Sequence, residues 1–200
     1  MALTPAQMGD AIVRNLETKT GHSLDYWLNV LREGQATDRK SAIIHLKAAG
    51  LGHFQAQKVW EVSRGEDPYA DPEALVAAQF PGPAREAYEA FAGACAALGD
   101  DVEARPCRTY VPFYAGRQFA MMTAKPDGSL HVGLALPAGF TDEAVVSARG
   151  LGGSARINAA FELAADGSLT AAQRQVLAEA YAYNRCDARC TRELRSFDPR

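Results

Sequence analysis

The sequence SLHVGLAL, residues 129–136, is the clearest indication of the fold class, because large apolar residues alternate in it with small or polar ones. Leucine or valine occupies every even position, while serine, histidine, glycine and alanine occupy the odd positions. Successive side chains of a β-strand point to opposite faces, so the alternation predicts a half-buried strand. The turn sequence KPDG before it, residues 125–128, predicts a hairpin with a strand at residues 117–124.

Two more strands extend this predicted sheet. Ala115 and Gly116 predict a turn after a strand at residues 108–114. Pro112 favours an edge position for that strand, because proline has no N–H to donate to a neighbour. Alternation returns in residues 156–163 and predicts a fourth strand.

Helices flank the predicted strands. Pro83 begins one helix, and the capping box formed by Thr170 and Gln173 begins the last one. The fold class predicted for residues 83–185 is α+β, with an antiparallel meander sheet covered by helices on one face and open on the other.

The first 65 residues predict a separate helical bundle, with apolar residues at helical spacing after Thr4, Ser23, Asp38 and Gly52. Residues 66–82 combine prolines and acids, which predicts a linker with a short helix. Residues 186–200 are expected to form a polar C-terminal tail.

Composition narrows the classes of function. The net charge is −3, which disfavours long-range attraction of the whole molecule to nucleic acid or anionic lipid. The amino-terminal residues lack a signal-peptide pattern and no apolar run is long enough to span a membrane, so we expect a cytoplasmic protein without membrane association. The four cysteines are expected to be reduced thiols.

The segment CRTYVPFYAGRQFAMM, residues 107–122, places two arginines among four aromatic residues. On an open sheet face such residues could stack on and pair with a partner, which predicts a site for a small molecule or a protein. The alternative is that the aromatics are ordinary sheet residues and that the arginines are solvated or paired with Glu103 and Glu162. The predicted ligand-binding residues are Arg108, Tyr110, Arg117, Phe119, His131 and Arg156.

We predict a non-catalytic binding protein, because no catalytic motif is legible and His131 alone offers acid–base chemistry on this face. No cofactor is expected. Cys186 and Cys190 would lie one helical turn apart, but no second pair of ligands stands nearby, so no metal site is predicted. Homodimerisation stays an open alternative.

A second hypothesis concerns the N-terminal bundle. The connection AAGLG, residues 48–52, resembles the turn of a helix-turn-helix, which would make the following helix a nucleic-acid recognition helix. Its candidate contacts are His53, Gln57, Lys58 and Arg64. The near-neutral charge of this unit disfavours the hypothesis, and a bundle turn with Gly50 ending a helix is the simpler interpretation.

Several motifs resemble two bacterial families. TGHS at 20–23, YW at 26–27, GLGHF at 50–54 and AQ at 56–57 resemble the helical domain of unknown function 4287. Residues from about 80 to 184 resemble its frequent downstream partner, domain of unknown function 5655, in GDDVE at 99–103, TYV at 109–111, RQFA at 117–120, VGL at 132–134, Leu177 and Tyr181. The second resemblance implies a small α+β module that binds rather than catalyses. The relatives carry lysine and arginine clusters near the first strand turn, where this chain reads FYAGR at 113–117, so the resemblance implies no phosphate site here.

Overall fold

The computed structural model describes residues 5–149, 151 and 154–185. The chain forms two compact units, one ending at Asp71 and the other beginning at Pro72. The first contains helices α1 (Pro5–Arg14), α2 (Leu16–Thr20), α3 (Leu24–Glu33), α4 (Arg39–Ala48) and α5 (His53–Ser63). No helix within the described ranges is both long and apolar enough to cross a membrane.

Local hydrogen bonds explain where the N-terminal helices begin. Ser23 Oγ accepts a hydrogen bond from Tyr26 N at 3.3 Å, and Asp38 Oδ1 accepts from Lys40 N at 2.8 Å and Ser41 N at 3.0 Å. These side chains satisfy N–H groups that have no partner within the first turn of a helix. The helices enclose a small core whose buried members are Leu16, Trp27, Leu31, Ala42, Leu46, Leu51, Ala56 and Val59.

The second unit contains helices α6 (Pro72–Gln79), α7 (Pro83–Ala96) and α8 (Ala171–Asn184). Its strands are β1 (Glu103–Ala104), β2 (Val111–Ala115), β3 (Arg117–Ala124), β4 (Leu130–Leu134), β5 (Val146–Ser147) and β6 (Ala159–Leu163). They form one antiparallel sheet in the order β1-β2-β3-β4-β6-β5. The α+β prediction is confirmed.

Helix α6 lies within the segment that the sequence indicated as a linker. Val76 of this helix and Phe80 after it are buried in the core of the C-terminal unit. Phe80 stacks on Tyr88 of α7 with ring centroids 5.0 Å apart. This segment is therefore part of the packed unit, because its apolar residues complete the core of the sheet layer.

The edge position predicted for the strand containing Pro112 is wrong. Strand β2 lies between β1 and β3, and β1 is only two residues long. Arg105 N donates to Pro112 O at 3.0 Å. The nitrogen and carbonyl of one residue point to the same side of a strand, so the missing N–H of Pro112 faces Arg105, directly after the end of β1, where the pairing of β1 with β2 stops.

A β-bulge interrupts β3. Phe113 pairs with Ala120 whereas Tyr114 pairs with Gln118, so Phe119 is an extra residue with no partner on β2. A bulge shifts the alternation of side chains between the two faces. The sequence pattern treated β3 as regular and therefore placed Arg117 and Phe119 on the same face as His131, whereas both turn to the helix side.

The three helices of this unit pack on one face of the sheet. The core there includes Ala120 and Met122 of β3, Val132 of β4 and Phe161 of β6. The intervening residues of each strand point to the opposite face, which we call the helix-free face.

The centre of the helix-free face is covered, which corrects the expectation of a fully open face. Met121, Ala135 and Ile157 form a second buried cluster there, with Tyr110 and Ala148 packed against it. A Cβ atom built on Gly133 would lie 2.6 Å from Ile157 Cγ2, so only glycine leaves room for that side chain. Residues between β5 and β6 thus shield the middle of this face.

Candidate functional site

At one margin of the helix-free face, a row of polar side chains runs from the buried Thr123 through the half-buried His131 to the exposed Glu162. Thr123 of β3 lies directly opposite His131 of β4, and His131 lies directly opposite Glu162 of β6. Directly opposed side chains on neighbouring antiparallel strands have Cβ atoms about 4.5–5.5 Å apart. We call these three residues the polar row.

A hydrogen-bond chain orients His131. Its Nε2 lies 3.0 Å from Ser129 Oγ, which donates to Asp127 Oδ1 at 2.7 Å. Hydrogen bonds from the Ser129 hydroxyl and backbone N–H lower the pKa of Asp127. Its carboxylate therefore stays charged and accepts the hydrogen bond that the Ser129 hydroxyl donates. In a neutral ring Nε2 is then the donor to Ser129, and Nδ1 is the acceptor.

An open groove of about 750 Å³ adjoins the polar row. Its polar lining includes Gln79, Lys125, Ser129 and Glu162, so it shares Glu162 with the row and Ser129 with the chain that orients His131. Three prolines, Pro81, Pro83 and Pro126, lie among its apolar lining. Its volume falls in the range of small-molecule sites, about 300–1,000 Å³.

Gln79, which belongs to the lining of this groove, has an unsatisfied acceptor. Its Nε2 donates to Leu75 O at 2.9 Å and to Cys107 O at 2.6 Å, which fixes the amide. Its Oε1 is buried and has no hydrogen-bond partner. A buried polar atom without a partner is costly, so a ligand that donates a hydrogen bond to Oε1 would gain affinity there.

The opposite margin of the helix-free face holds a cluster that the sequence did not reveal. Arg105 is only 8% exposed, its Nη2 donates to Glu103 Oε2 at 2.6 Å, and its guanidinium carbon lies 4.5 Å from the centroid of the Tyr114 ring. The hydrogen bond from Arg105 lowers the pKa of Glu103. Arg105 follows β1 in an irregular segment without periodicity, so no pattern in the sequence signalled its burial.

The structure does not bring the six predicted ligand residues together. Phe119 is fully buried on the helix side, where its ring meets Tyr181 edge-on at 5.7 Å. Tyr110 packs on the cluster at the centre of the helix-free face, His131 belongs to the polar row, and Arg108 is exposed.

The other two predicted residues hold the C-terminal end of α8. Arg117 Nη2 donates to Tyr183 O at 2.9 Å, and Arg156 Nη2 donates to Asn184 Oδ1 at 3.0 Å. Cations favour helix C-termini, where carbonyl groups lack partners within the helix. These contacts give Arg117 and Arg156 structural roles that a strand pattern cannot show.

The nucleic-acid contacts predicted for the N-terminal unit do not all lie together either. His53 and Gln57 lie one turn apart on α5, with their side-chain nitrogens 3.1 Å apart, and Arg64 lies over the Trp60 ring at 5.9 Å. Lys58 points toward α1 instead. Its Nζ lies 3.0 Å from the position that a Cβ atom would occupy on Gly9 of that helix.

The cysteines of the described residues are free thiols. Burial raises the pKa of Cys95 and Cys107, so both thiols stay protonated at neutral pH. Across residues 5–149, 151 and 154–185, no three His, Cys, Asp or Glu side chains form a group that could hold a metal. Cys186 and Cys190 lie outside the described residues.

Comparisons with known proteins give one match. The family model described as a domain of unknown function, 5655, matches residues 75–184, which is more than half of the chain. That match does not reach the N-terminal helices, whose resemblance to domain of unknown function 4287 stays a prediction. No curated protein and no solved structure matches.

Proposed function

The chain belongs to the family of domain of unknown function 5655, and we propose from the geometry of its site that the C-terminal unit is a non-catalytic binding module. Its ligand would be a small polar molecule held in the groove beside the polar row. The observation that carries this proposal is that Glu162 belongs both to the groove and to the row centred on His131.

The groove lining indicates the chemistry of the ligand. The unsatisfied Gln79 Oε1 and the Glu162 carboxylate call for hydrogen-bond donors, such as an amine or amide of the ligand. The Lys125 ammonium, which also belongs to the groove lining, suits a carboxylate. A small molecule with both an amino and a carboxyl group fits this combination best.

The order of the hydrogen-bond chain favours binding over catalysis. In a nucleophile triad the imidazole lies between the hydroxyl and the carboxylate, so that it can take the hydroxyl proton. Here the Ser129 hydroxyl lies between Asp127 and His131 and donates to the carboxylate. This order orients the histidine but does not activate the serine.

A cytoplasmic location forms part of the same proposal. The free thiols of Cys95 and Cys107 support it, because reduced cysteines persist in a reducing compartment.

The test is a screen of amino acids and short amino-carboxylic compounds against the full chain by ligand-observed NMR. We expect at least one compound whose binding is lost in His131→Ala and in Glu162→Gln. Glu179→Gln is the matched control, because Glu179 is an exposed carboxylate on α8 outside the groove.

Two results would contradict the proposal. Binding that persists in both His131→Ala and Glu162→Gln would place the ligand elsewhere. Conversion of a bound compound into a new species, seen as new resonances that depend on His131, would show an enzyme instead of a binding module.

A further inference from the structure

Basic residues are concentrated in one part of the N-terminal unit, which the net charge of the whole chain does not show. Residues 39–64, which span α4 and α5, contain five cations, Arg39, Lys40, Lys47, Lys58 and Arg64, and a single acid, Glu61. Glu61 is 8% exposed, and its Oε1 lies 3.9 Å from Arg39 Nη2. The only negative charge of this helix pair is therefore covered and partly neutralised, although the whole chain carries −3.

The exposed face of α4 carries two of these cations at regular spacing. Lys40, Ile44 and Lys47 follow at i, i+4 and i+7, which places them along one stripe of the helix. All three are exposed, and Ile44 keeps 59% of its surface accessible. Asp38, at the start of α4, is engaged by the helix N–H groups it caps.

The exposed face of α5 carries groups that suit base edges. His53, Phe54 and Gln57 occupy its first turns, and Phe54 is 72% exposed. A glutamine amide can pair with adenine, and an aromatic ring can contact the thymine methyl group. Phe54 has no packing role in the core of its own unit, whose buried members do not include it.

The connection between the two helices has the length and backbone of a helix-turn-helix. Four residues separate Ala48 from His53, and Gly50 adopts a φ of +113°, which a residue with a Cβ rarely accepts. In that motif the N-terminal residues of the second helix meet base edges while the first helix crosses the phosphate backbone.

We propose that Lys40, Ile44 and Lys47 of α4 together with His53, Phe54 and Gln57 of α5 bind duplex DNA. The lysines would contact phosphates and the α5 residues would enter the major groove, with Arg64 at the far end of α5 adding a phosphate contact. Lys58, which packs toward α1, is not among these residues.

The experiment measures binding of the full chain to a fluorescein-labelled duplex of about 20 base pairs, two helical turns, by fluorescence anisotropy at increasing salt. Three phosphate contacts give a slope of log K against log salt of about −2.7, which is a loss of about 40-fold between 50 and 200 mM. Replacing both Lys40 and Lys47 with glutamate should reduce the slope by about 2 and weaken binding at least tenfold.

A charge-matched variant separates the contribution of these residues from general electrostatics. Lys19→Glu combined with Arg32→Glu changes the net charge equally, on exposed positions of α2 and α3 in the same unit. This control should bind the duplex within about threefold of the unaltered chain. Phe54→Ala should weaken binding several-fold and leave the salt slope unchanged, because Phe54 makes no phosphate contact.

Several outcomes would overturn the proposal. Equal losses in the two double variants would show non-specific attraction. Tighter binding to a single strand than to the duplex would exclude groove recognition. Binding to vesicles containing about 30% phosphatidylserine without binding to the duplex would show that these residues contact a membrane surface instead.

Discussion

The two units of this chain differ in how much of their apolar surface they bury. The N-terminal helices share a core of eight buried residues, whereas the main core of the C-terminal unit has twenty-four among the described residues. Within the described part of the chain there are six large exposed hydrophobic residues, and four of them belong to the helical unit: Met8, Tyr26, Ile44 and Phe54. A small unit buries a smaller fraction of its surface, so it has less stability in reserve.

The two units also differ in where their candidate functional groups lie. The C-terminal unit uses long-range contacts to build a rigid sheet, and its candidate site is a groove with fixed polar atoms. The helical unit has the smaller core and leaves several apolar and basic side chains exposed. Four predictions test whether the two units differ in stability and whether they unfold independently of each other.

The largest effect is expected for Phe91→Ala in the C-terminal core. Phe91 is fully buried and meets Phe113 edge-on at 5.4 Å, so truncation should cost about 3–5 kcal/mol of the free energy of unfolding. Both tryptophans, Trp27 and Trp60, lie in the N-terminal unit. Urea unfolding followed by far-UV circular dichroism should show the loss, while the midpoint from tryptophan fluorescence stays unchanged. A fluorescence midpoint that falls together with the dichroism signal would show that the units unfold as one.

Asn184→Ala should have the next largest effect, about 2 kcal/mol. Asn184 is fully buried, and its Nδ2 donates to Ala135 O at 2.7 Å and to Ala180 O at 2.8 Å. Alanine would leave the carbonyl of Ala135 buried without this donor, which is expected to cost about 1–3 kcal/mol. Glu179→Ala on the exposed side of the same helix should stay within about 0.5 kcal/mol. Equal effects of the two substitutions in chemical unfolding would contradict the role of Asn184.

Removing one helix cap from each unit compares them directly. Ser23→Ala and Thr170→Ala each delete a side chain that accepts a backbone hydrogen bond, at 3.3 Å and 3.1 Å, and each should cost about 1 kcal/mol. The smaller unit should show the larger shift in Tm, about 4–8 °C, because its unfolding entropy is smaller. Calorimetry of the two variants measures both shifts. A larger shift for Thr170→Ala would contradict the smaller unfolding entropy expected for the helical unit.

The smallest effect is expected for Glu103→Gln, at under about 1 kcal/mol, because the Glu103 side chain is half exposed and screened by solvent. The hydrogen bond from Arg105 lowers the pKa of Glu103 in the folded state. The stability from this pair is therefore present above the unfolded pKa, about 4.3, and is lost as the pH falls through the folded value. Unfolding experiments at pH 7 and at acid pH should show that the difference between Glu103→Gln and the unaltered chain shrinks with acidification. A constant difference would indicate that Glu103 acts through packing instead of charge.

Several features could be predicted because they depend on neighbours in the sequence. The caps at Ser23, Asp38 and Thr170 form the hydrogen bonds that the residue types indicated. The alternation in residues 129–136 identified β4 and placed His131 on the face away from the helices. The α+β class was predicted because apolar residues recur at helical spacing in one part of the chain and alternate as in strands in another.

The candidate site was only partly predictable. The alternation along one strand identified His131. Its alignment with Thr123 and Glu162 in one row depends on the register of three strands, which that alternation does not show. The groove and its unsatisfied Gln79 require α6 to pack against the sheet. Residues that the pattern grouped with His131, such as Phe119 and Arg117, turn to the helix side because of one extra residue in β3.

Local patterns in the sequence were therefore enough to predict the type and position of most helices and strands and the caps that begin them. These features arise from hydrogen bonds and side-chain periodicity within a few residues, which a single sequence displays. The folded chain was needed to establish the register, the bulge, the cover over the helix-free face and the partners of Arg105, Arg117 and Arg156. These depend on contacts between residues far apart in the chain, whose geometry no local pattern encodes.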